Sequence, residues 1–408
     1  WSVTGVQTCA LPIWPAGQWW FGVHHRQEAA RGLNASEDLW YAGDFTGSLE
    51  GPGATLDVLA WAAASGEDPG DAGLAEAPAP AGEVIESAGR RNRAIVAAGR
   101  PADDVEATLT LAADAFVVRT AAGPDVVAGY PWFGSWSRDT MIAYPGLFLT
   151  TGRAAEGREL LRSYAATLSE GMLANTADTG SVEYNTVDGT LWFLYAVARH
   201  VDATGDDDLA AELLPALRTV VDRHLAGTRY GIHADPADGL LAWGGRDAEG
   251  LALTWMDARV DGRPVTPRAG KPVEVNALWV NGLAAVVELA RRVGADSGPA
   301  AEVHARAVAS FRRRFPAPTG WLYDVVDVPG DTPRDDDLLR PNQLLAWSLP
   351  HAPLPAPDPA VLRRIGDALL TPLGLRSLAP DAPGFLGAHR GGPAQRDRAY
   401  HQGTVWPW

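Results

Sequence analysis

Apolar side chains recur with the period of α-helices along most of this 408-residue chain. From about residue 84 onward they return every three or four positions, the spacing that places them on one face of a helix. Representative faces are formed by Leu160, Leu161, Tyr164 and Leu168 before Gly171, by Leu191, Trp192, Tyr195 and Ala198, and by Leu209, Leu213, Leu217, Val220 and His224. Further helices are predicted near 276–294, 299–314 and 359–370. The pattern predicts about ten helices with no strand ladder among them, and therefore a mainly α fold.

The first part of the chain has the pattern of β-strands instead. Residues 18–23 form a short aromatic run, and residues 54–61 alternate between apolar and polar with period two. Between them, residues 34–41 carry turn-forming side chains before a second aromatic pair. We interpret 15–64 as the remnant of an N-terminal β-sandwich domain. Residues 65–83, rich in Gly, Pro, Ala, Asp and Glu, are predicted to be a linker, and 84–408 a helical domain.

The two ends of the chain suggest a fragment. There is no initiator methionine, and residues 2–13 resemble translated sequencing-adapter read-through more than protein. We therefore expect residues 1–14 to be non-native and leave them out of the fold prediction. The chain stops at Trp408 in the middle of a motif, so we expect the helical domain to be cut at its C-terminus.

Polar and aromatic segments occur at every second connection between the predicted helices. They are the segments 130–139, 183–188, 230–271, 274–279, 316–341 and 400–406. In a series of helix hairpins, loops at every second connection lie on one rim. The spacing therefore predicts a toroid of helix pairs with a site at one end, with an irregular α-helical bundle as the alternative.

Composition narrows the class of ligand. The net charge is −16 and Lys271 is the only lysine, whereas nucleic acid and anionic membranes require a basic face. No apolar run reaches the roughly 18 residues of a membrane helix. The single cysteine, Cys9, excludes an internal disulfide framework and is consistent with a reducing compartment. We expect neither a nucleic-acid nor a membrane partner, and a neutral substrate fits the composition.

The segment 129–140 has the residue types of a sugar site. It places Trp132 and Trp136 among four aromatic residues and follows them with Arg138 and Asp139. Aromatic rings cover the C–H faces of a sugar, while paired charged groups bind its hydroxyls. The alternative is a loop whose aromatic side chains fill the core.

Two carboxylates differ in their sequence surroundings. Asp139 follows Arg138 directly, and a neighbouring guanidinium favours the ionised form, so we expect a lowered pKa and a ligand-holding role. Asp257 has apolar and aromatic neighbours, which raise a carboxyl pKa, as a general acid requires. The alternative for Asp257 is a helix cap or a salt bridge to Arg259 or Arg263.

Other rim residues have several interpretations. Glu274 could orient Asp257, bind a hydroxyl or cap the following helix. His401 and Gln402 with Trp406 resemble a hydrogen-bonding edge beside an aromatic wall, although His401 could equally be a packed loop histidine. The sequence contains no Cys/His zinc spacing, no phosphate-binding loop, no dinucleotide fingerprint and no nucleophile elbow. We therefore predict no metal and no cofactor.

Seven motifs occur in an order that resembles the amylo-α-1,6-glucosidase domain of glycogen debranching enzymes. The motifs are 129–140, 184–193, 253–258, 270–279, 340–343, 374–378 and 401–408. The likeness extends from about residue 105 to the end, and residues 18–61 resemble the end of the β-rich N-terminal domain of bacterial members. One departure is Ser137, where a glycine is usual.

The resemblance implies an (α/α)6 barrel and an inverting glycosidase without cofactor. The expected reaction is hydrolysis of the α-1,6 branch glucose on glycogen, limit dextrin or a maltooligosaccharide, in the cytoplasm. By motif the general acid is Asp257, and Arg138 and Asp139 grip the non-reducing glucose. The substrate-binding residues predicted in all are Trp132, Trp136, Arg138, Asp139, Tyr184, Asn185, Asp188, Trp255, Glu274, Trp279, His401, Gln402 and Trp406.

An inverting enzyme also needs a base, with roughly 6.5–9.5 Å between the two carboxyl groups. In the family the base follows the segment 401–406, beyond Trp408. We therefore expect the chain as given to lack the last barrel helices, to expose an apolar surface and to be nearly inactive. Two alternatives stay open: an inverting glycosidase of the same barrel type that acts on a small glucoside, and a non-catalytic glucan-binding domain.

Overall fold

The computed structural model describes residues 13–45, 51–54, 80–121, 123–130, 133–176, 182–245, 248–332 and 334–407. The chain divides into two compact units, Trp1–Ala97 and Ala98–Trp408. The predicted domain limits at 14, 64 and 83 stay predictions, because residues 1–12 and 55–79 lie outside the described ranges. Cys9 lies there too.

The first unit contains an antiparallel hairpin of two strands. Strand β1 (Ile13–His24) pairs with β2 (Ser36–Phe45), and the short helix α1 (Arg26–Ala30) lies between them in the chain. Trp19 is opposite Trp40, with their ring centroids 5.2 Å apart. The strand predicted at 18–23 is confirmed, and β2 contains the second aromatic pair, Trp40 and Tyr41. The strand predicted at 54–61 lies, apart from Ala54, outside the described residues, and the β-sandwich stays a prediction.

The second unit is mainly helical, as predicted. After α2 (Ala81–Gly99), its principal helices are α3 (Asp104–Phe116), α4 (Ser137–Tyr144), α5 (Ala154–Ala166), α6 (Gly189–Thr204), α7 (Asp207–Ala226), α8 (Val273–Arg292), α9 (Ala300–Arg314), α10 (Leu345–Ser348), α11 (Pro359–Leu369) and α12 (Pro393–Ala399). A π-helix follows α4 at Pro145–Thr150, and a 3-10 turn at Pro341–Leu344 precedes α10. The helices predicted near 276–294, 299–314 and 359–370 correspond to α8, α9 and α11.

Deeply buried helices alternate with helices that are buried along one face. Helices α6 and α8 are buried on nearly every side, whereas α7 and α9 bury one apolar face and expose the other. The two buried helices pack against each other at Gly282, where an added Cβ would lie 2.7 Å from Leu194 Cδ1. Helix α8 is long and apolar enough to cross a membrane, but 83% of its apolar window is buried inside the protein, as in a core helix.

The prediction that no strand ladder lies among the helices is wrong. Five small sheets occur in the described part of this unit, all antiparallel. They are built from β3 (Val117–Thr120) and β4 (Gly123–Val126), β5 (His233–Ala234) and β6 (Leu241–Ala242), β7 (Arg259–Val260) and β8 (Arg263–Pro264), β9 (Lys271–Pro272), β10 (Val325–Val328) and β11 (Arg334–Asp336), and β12 (Leu370–Thr371), β13 (Gly374–Arg376) and β14 (Val405–Trp406). Strands of two to four residues are too short to show a period of two.

Two of these sheets bring distant loops to the site described below. Strand β9 leads directly into α8 and pairs with β10, with Lys271 opposite Val326. Strand β14 pairs with β13, with Trp406 opposite Leu375, and so holds the C-terminal motif against the helical unit. The sheets therefore position loops, while the helices form the core.

Candidate functional site

Three loops that are far apart in the chain meet near the N-termini of α4 and α6. The Ser137 amide donates to the Asn175 carbonyl at 3.0 Å, and the Val187 amide donates to the Leu253 carbonyl at 2.8 Å. Trp136 also forms a β-bridge with Thr176. These backbone contacts join the segments 133–137, 175–176, 182–187 and 253–257 into one surface.

Arg138 lies at the centre of this surface and is 5% exposed. Its Nε donates to both carboxylate oxygens of Asp188 at 2.9 and 3.0 Å, and one Nη donates to Thr186 Oγ1 at 3.0 Å. The other Nη lies 3.6 Å from Asp257 Oδ2. Charge-assisted pairs of this kind are short and directional, so Arg138 sets the relative position of two carboxylates.

The Asp188 side chain is directed to Arg138 and not to the helix that follows it. The helix it precedes, α6, does begin at Gly189, but the Asp188 side chain does not cap it. Its carboxylate turns to Arg138 and also accepts from Thr186 Oγ1 at 2.6 Å. Asp188 is 1% exposed, and an arginine fully desolvated beside it stabilises its charge more than exposed helix amides would.

Asp257 combines access to solvent with a crowded environment. Its side chain is 40% exposed, yet many protein atoms surround it. Burial raises its pKa, Arg138 opposes the shift, and the charges of Asp188 and Asp139 reinforce it. The predicted direction of the Asp257 pKa is confirmed. The ion pair with Arg138 replaces the predicted alternatives, Arg259 and Arg263.

The predicted direction of the Asp139 pKa is wrong. Although the side chain reaches solvent, partial burial raises its pKa by more than Arg138 lowers it. The guanidinium of Arg138 is directed to Asp188, so the neighbour in sequence is not the bonded partner. A charge pair read from adjacent residues fails when the two side chains point apart.

Aromatic rings form a wall beside Asp257. Trp255 makes edge contacts with His401 and Trp406 at centroid distances of 5.3 and 5.6 Å. His401 stacks on Trp406 at 5.2 Å, and Tyr400 lies 4.7 Å from His401. The sequence predicted a hydrogen-bonding edge of His401 and Gln402 with Trp406 beside an aromatic wall, and the structure adds Trp255 to the rings around it. Rings packed at these distances present rigid faces to a ligand at little conformational cost.

His401 is a neutral hydrogen-bonding group. It is 1% exposed, and its Nδ1 accepts from the Ala258 amide at 3.4 Å, so the proton of the neutral ring is on Nε2. Burial, followed by the charges of Arg340, Arg138 and Arg268, lowers the His401 pKa to about 3. Nε2 has no hydrogen-bond partner in the described structure. Throughout the physiological pH range His401 is therefore a donor without a charge.

Glu274 is engaged by an arginine and is not a free rim carboxylate. It is 2% exposed, and both of its oxygens accept from Arg268. Arg268 also binds Asp324, with Nε 2.9 Å from Oδ2. Burial lowers the pKa of Arg268, but the two carboxylates outweigh this and raise it. Glu274 contributes to a buried charge cluster. Because Arg268 occupies both of its oxygens, an indirect role in orienting Asp257 fits better than binding a sugar hydroxyl.

A cavity of about 590 Å³ opens beside these groups. Its charged and amide lining groups are Arg138, Asp188, Glu274 and Asn342, and Trp255 lines it as well. The other lining residues, mostly apolar, are Ile142, Trp192, Pro341, Leu344, Leu345, Trp347, Ser348, Pro357, Leu362 and Leu375. Because sugar hydroxyls need polar partners, a sugar suits only the part of the cavity that the charged and amide groups line.

Four other predicted site residues lie away from this constellation or have structural partners. Trp279 is in the core, stacked on His224 at 5.7 Å, because α8 is buried on nearly every side. The Tyr184 ring is covered by Arg229. Asn185 binds Asn175 and Glu183, and Gln402 binds Val265, Thr266 and Arg340. Trp132 lies outside the described residues, and Trp136 is half-buried at the junction of the loops.

Sequence reasoning missed two residues of the site. Asn342 lies in the motif 340–343, which could have pointed to it, and it binds Trp255 Nε1 at 2.8 Å. Tyr400 precedes His401, and its pKa is raised by burial and then by the charges of Asp257 and Asp139. Across the described ranges, no group of three His, Cys, Asp or Glu side chains could hold a metal ion.

The amino-acid sequence of the chain matches a known protein family. Residues 111–408 match the family model described as amylo-alpha-1,6-glucosidase. The glycogen debranching enzyme of Saccharomyces cerevisiae is 25% identical over 379 residues, which cover 70% of this chain and 24% of the yeast protein. The chain thus spans about a quarter of the length of that relative.

Two solved structures share the fold at lower identity. A mannosylglycerate hydrolase of family GH63 from Thermus thermophilus, in complex with glucose, has a TM-score of 0.53 and 14% identity, over 73% of this chain and 84% of the other. A conserved protein from the same organism has a TM-score of 0.52 and 16% identity, over 73% and 83%. The similarity shows a helical fold of the kind that glycosidases use.

Proposed function

We propose that this chain, which belongs to the amylo-alpha-1,6-glucosidase family, is the glucosidase part of a glycogen-debranching enzyme. The reaction is inverting hydrolysis of the α-1,6 branch glucose on glycogen, limit dextrin or a maltooligosaccharide. The observation that carries the proposal is Asp257, a carboxyl group with a raised pKa beside a buried arginine and an aromatic wall. The similarity to the yeast glycogen debranching enzyme supports the substrate class.

In this proposal Asp257 is the general acid. A raised pKa favours the protonated form that a general acid needs, and the proton passes to the leaving glycosidic oxygen. Arg138 is held by Asp188 and faces Asp257, so it fixes the direction of the carboxyl group. Asp139 reaches solvent next to this pair and accepts hydrogen bonds from glucose hydroxyls.

The base of the inverting reaction is not assigned to any residue described above. Asp188 and Glu274 are each engaged by a buried arginine, so neither suits the activation of water. Asp139 is reserved for the ligand.

The proposal extends to the barrel type of the fold and to the cellular location. Alternation of deeply buried and one-sided helices, from α6 to α9, supports an (α/α)6 barrel, in which inner and outer helices alternate. We assign the protein to the cytoplasm and to glycogen catabolism on the basis of family membership alone.

Product analysis tests the proposal. Limit dextrin with single-glucose α-1,6 branches should yield free glucose, whereas linear maltooligosaccharide and a small glucoside should not. The assay is run with isothermal titration against maltooligosaccharide as a separate measure of binding. Hydrolysis of only a small glucoside, or glucan binding without glucose release, would contradict the proposal.

A further inference from the structure

Beneath the aromatic wall lies a buried cluster of charged and amide side chains, which we call the anchor cluster. Its members are Arg268, Glu274, Asp324, Arg340 and Asn342. All five are at most 5% exposed. Two arginines face two carboxylates, so the charges within the cluster balance. Buried charges of this kind require complete pairing and fix a single arrangement of their partners.

Asn342 connects the anchor cluster to the loop that carries Asp257. Its Nδ2 donates to Asp324 Oδ1 at 2.8 Å, and its Oδ1 accepts from Trp255 Nε1 at 2.8 Å. The same Nδ2 lies 3.8 Å from Met256 Sδ. One amide therefore holds the two residues that immediately precede Asp257.

Asp324 fixes the orientation of that amide. It receives three donors, two from Arg268 and one from Asn342. Because Asp324 accepts only from the NH2 side of the asparagine amide, the oxygen must face Trp255. The flip that would exchange the two atoms would place an oxygen against a carboxylate and an NH2 against an indole N–H.

Arg340 connects the cluster to the other side of the wall. One Nη donates to the carbonyls of Ser377 and His401 at 3.0 and 2.9 Å, and the other donates to Gln402 Oε1 at 3.1 Å. His401 in turn packs against Trp255. The cluster thus holds the aromatic wall at two points. Asn342 binds the indole N–H of Trp255, and Arg340 binds the backbone carbonyl of His401.

We propose that Asn342 is a positioning residue, which aims Asp257 by clamping Trp255 and Met256 to the anchor cluster. The effect of Asn342 on kcat rests on the proposed function, whereas its hydrogen bond to Trp255 does not. Without the amide, the indole N–H and Asp324 each lose a buried partner, and the loop 255–257 shifts. A displacement of about 1 Å at the reacting group lowers kcat by about 10²-fold, because proton transfer needs near-ideal geometry.

The test combines a spectroscopic and a kinetic readout. The protein is labelled with 5-fluorotryptophan, and the resonance of Trp255 is assigned with Trp255→Phe. Asn342→Ala should shift or broaden that resonance and lower kcat more than it raises KM. The matched control is Asn281→Ala, which removes another buried asparagine, one whose Oδ1 accepts from the His351 amide. The control should leave both readouts unchanged even if it lowers the melting temperature equally.

A conservative variant adds a second arm. Asn342→Asp keeps the acceptor for Trp255 but sets a carboxylate beside Asp324, so it should restore the Trp255 resonance only at a pH where the new group is protonated. An unchanged Trp255 resonance in Asn342→Ala would overturn the proposal regardless of activity, as would a shifted resonance with an unchanged kcat. Absence of glucose release from the native protein refutes the proposed function instead, and the spectroscopic arm then still tests the clamp.

Discussion

Arg138 contacts two carboxylates at different distances. Its Nε donates two hydrogen bonds to Asp188, whereas one of its Nη atoms lies 3.6 Å from Asp257 Oδ2. The first contact is short and both of its partners are buried. The second is longer, and its carboxylate reaches solvent. One guanidinium therefore anchors Asp188 through hydrogen bonds, whereas Asp257, whose pKa is raised by burial, is held only by a longer contact.

Replacement of the assigned acid tests its role directly. Asp257→Asn preserves the size of the side chain but removes the exchangeable proton, so kcat on limit dextrin should fall roughly 10²–10⁴-fold. Glucan affinity, measured by titration, should change little. The control is Asp261→Asn, an exposed aspartate with φ of 51°, a conformation that asparagine accepts. A loss below tenfold in Asp257→Asn would remove the assignment.

The pH dependence of the reaction should depend on Asp139. A general acid must be protonated, so kcat/KM should fall as pH rises through the Asp257 pKa. The charge of Asp139 raises that pKa. Asp139→Asn should therefore move the alkaline limb of the profile to lower pH, in addition to weakening substrate binding. Asp261→Asn should leave the limb in place, and an unmoved limb in Asp139→Asn would show that the two groups are not coupled.

Lys271, the only lysine, should be a pH-dependent determinant of stability. Its Nζ lies 2.7–2.9 Å from Asp235, Asp238 and Asp327, and it is 4% exposed. The hydrogen bond from Lys271 lowers the pKa of Asp235. This contribution to stability is present above the unfolded-state pKa of about 3.9 and is lost as pH falls through the lowered value.

Lys271→Met should accordingly destabilise the protein most at neutral pH. Three carboxylates then face one another without a cation, and we expect a loss of about 1–3 kcal/mol, less than for a fully buried pair because the carboxylates are partly exposed. The difference from wild type should shrink as pH falls below about 3.9 and through the lowered pKa of Asp235, because the carboxylates then take up protons. Urea unfolding at each pH measures it. Lys271→Arg keeps the charge and should lose less; a difference independent of pH would argue against the electrostatic cause.

The contact between α6 and α8 should not tolerate a methyl group at Gly282. In an open helix Gly→Ala gains roughly 0.5–1 kcal/mol, but overpacking against Leu194 costs roughly 1–3 kcal/mol, so Gly282→Ala should be destabilising. In a Leu194→Ala background the clash is absent, and the same substitution should become stabilising. A double-mutant cycle from urea unfolding measures the coupling, and simple additivity of the two substitutions would exclude close packing at this point.

The helices were predictable because their information is local. The faces containing Leu160 and Leu161 or Leu209 and Leu213 are visible in the sequence, and the corresponding helices bury these residues. The seven motifs, in their order, likewise identify the family from the sequence alone. Periodicity and motif order depend only on the order of residues along the chain, which the sequence states completely.

The partners of the charged groups depended on the tertiary structure. Arg138 is adjacent to Asp139 in sequence but binds Asp188, fifty positions away. Glu274, for which the sequence left three roles open, is held by Arg268, while Trp279, predicted to bind substrate, belongs to the core. Burial and the direction of a side chain are produced by packing between distant elements, and they decide which ion pairs form and which carboxyl group keeps its proton. The sequence by itself therefore determined the helices, the family and the residue types of the site, and only the folded chain decided how those residues are paired.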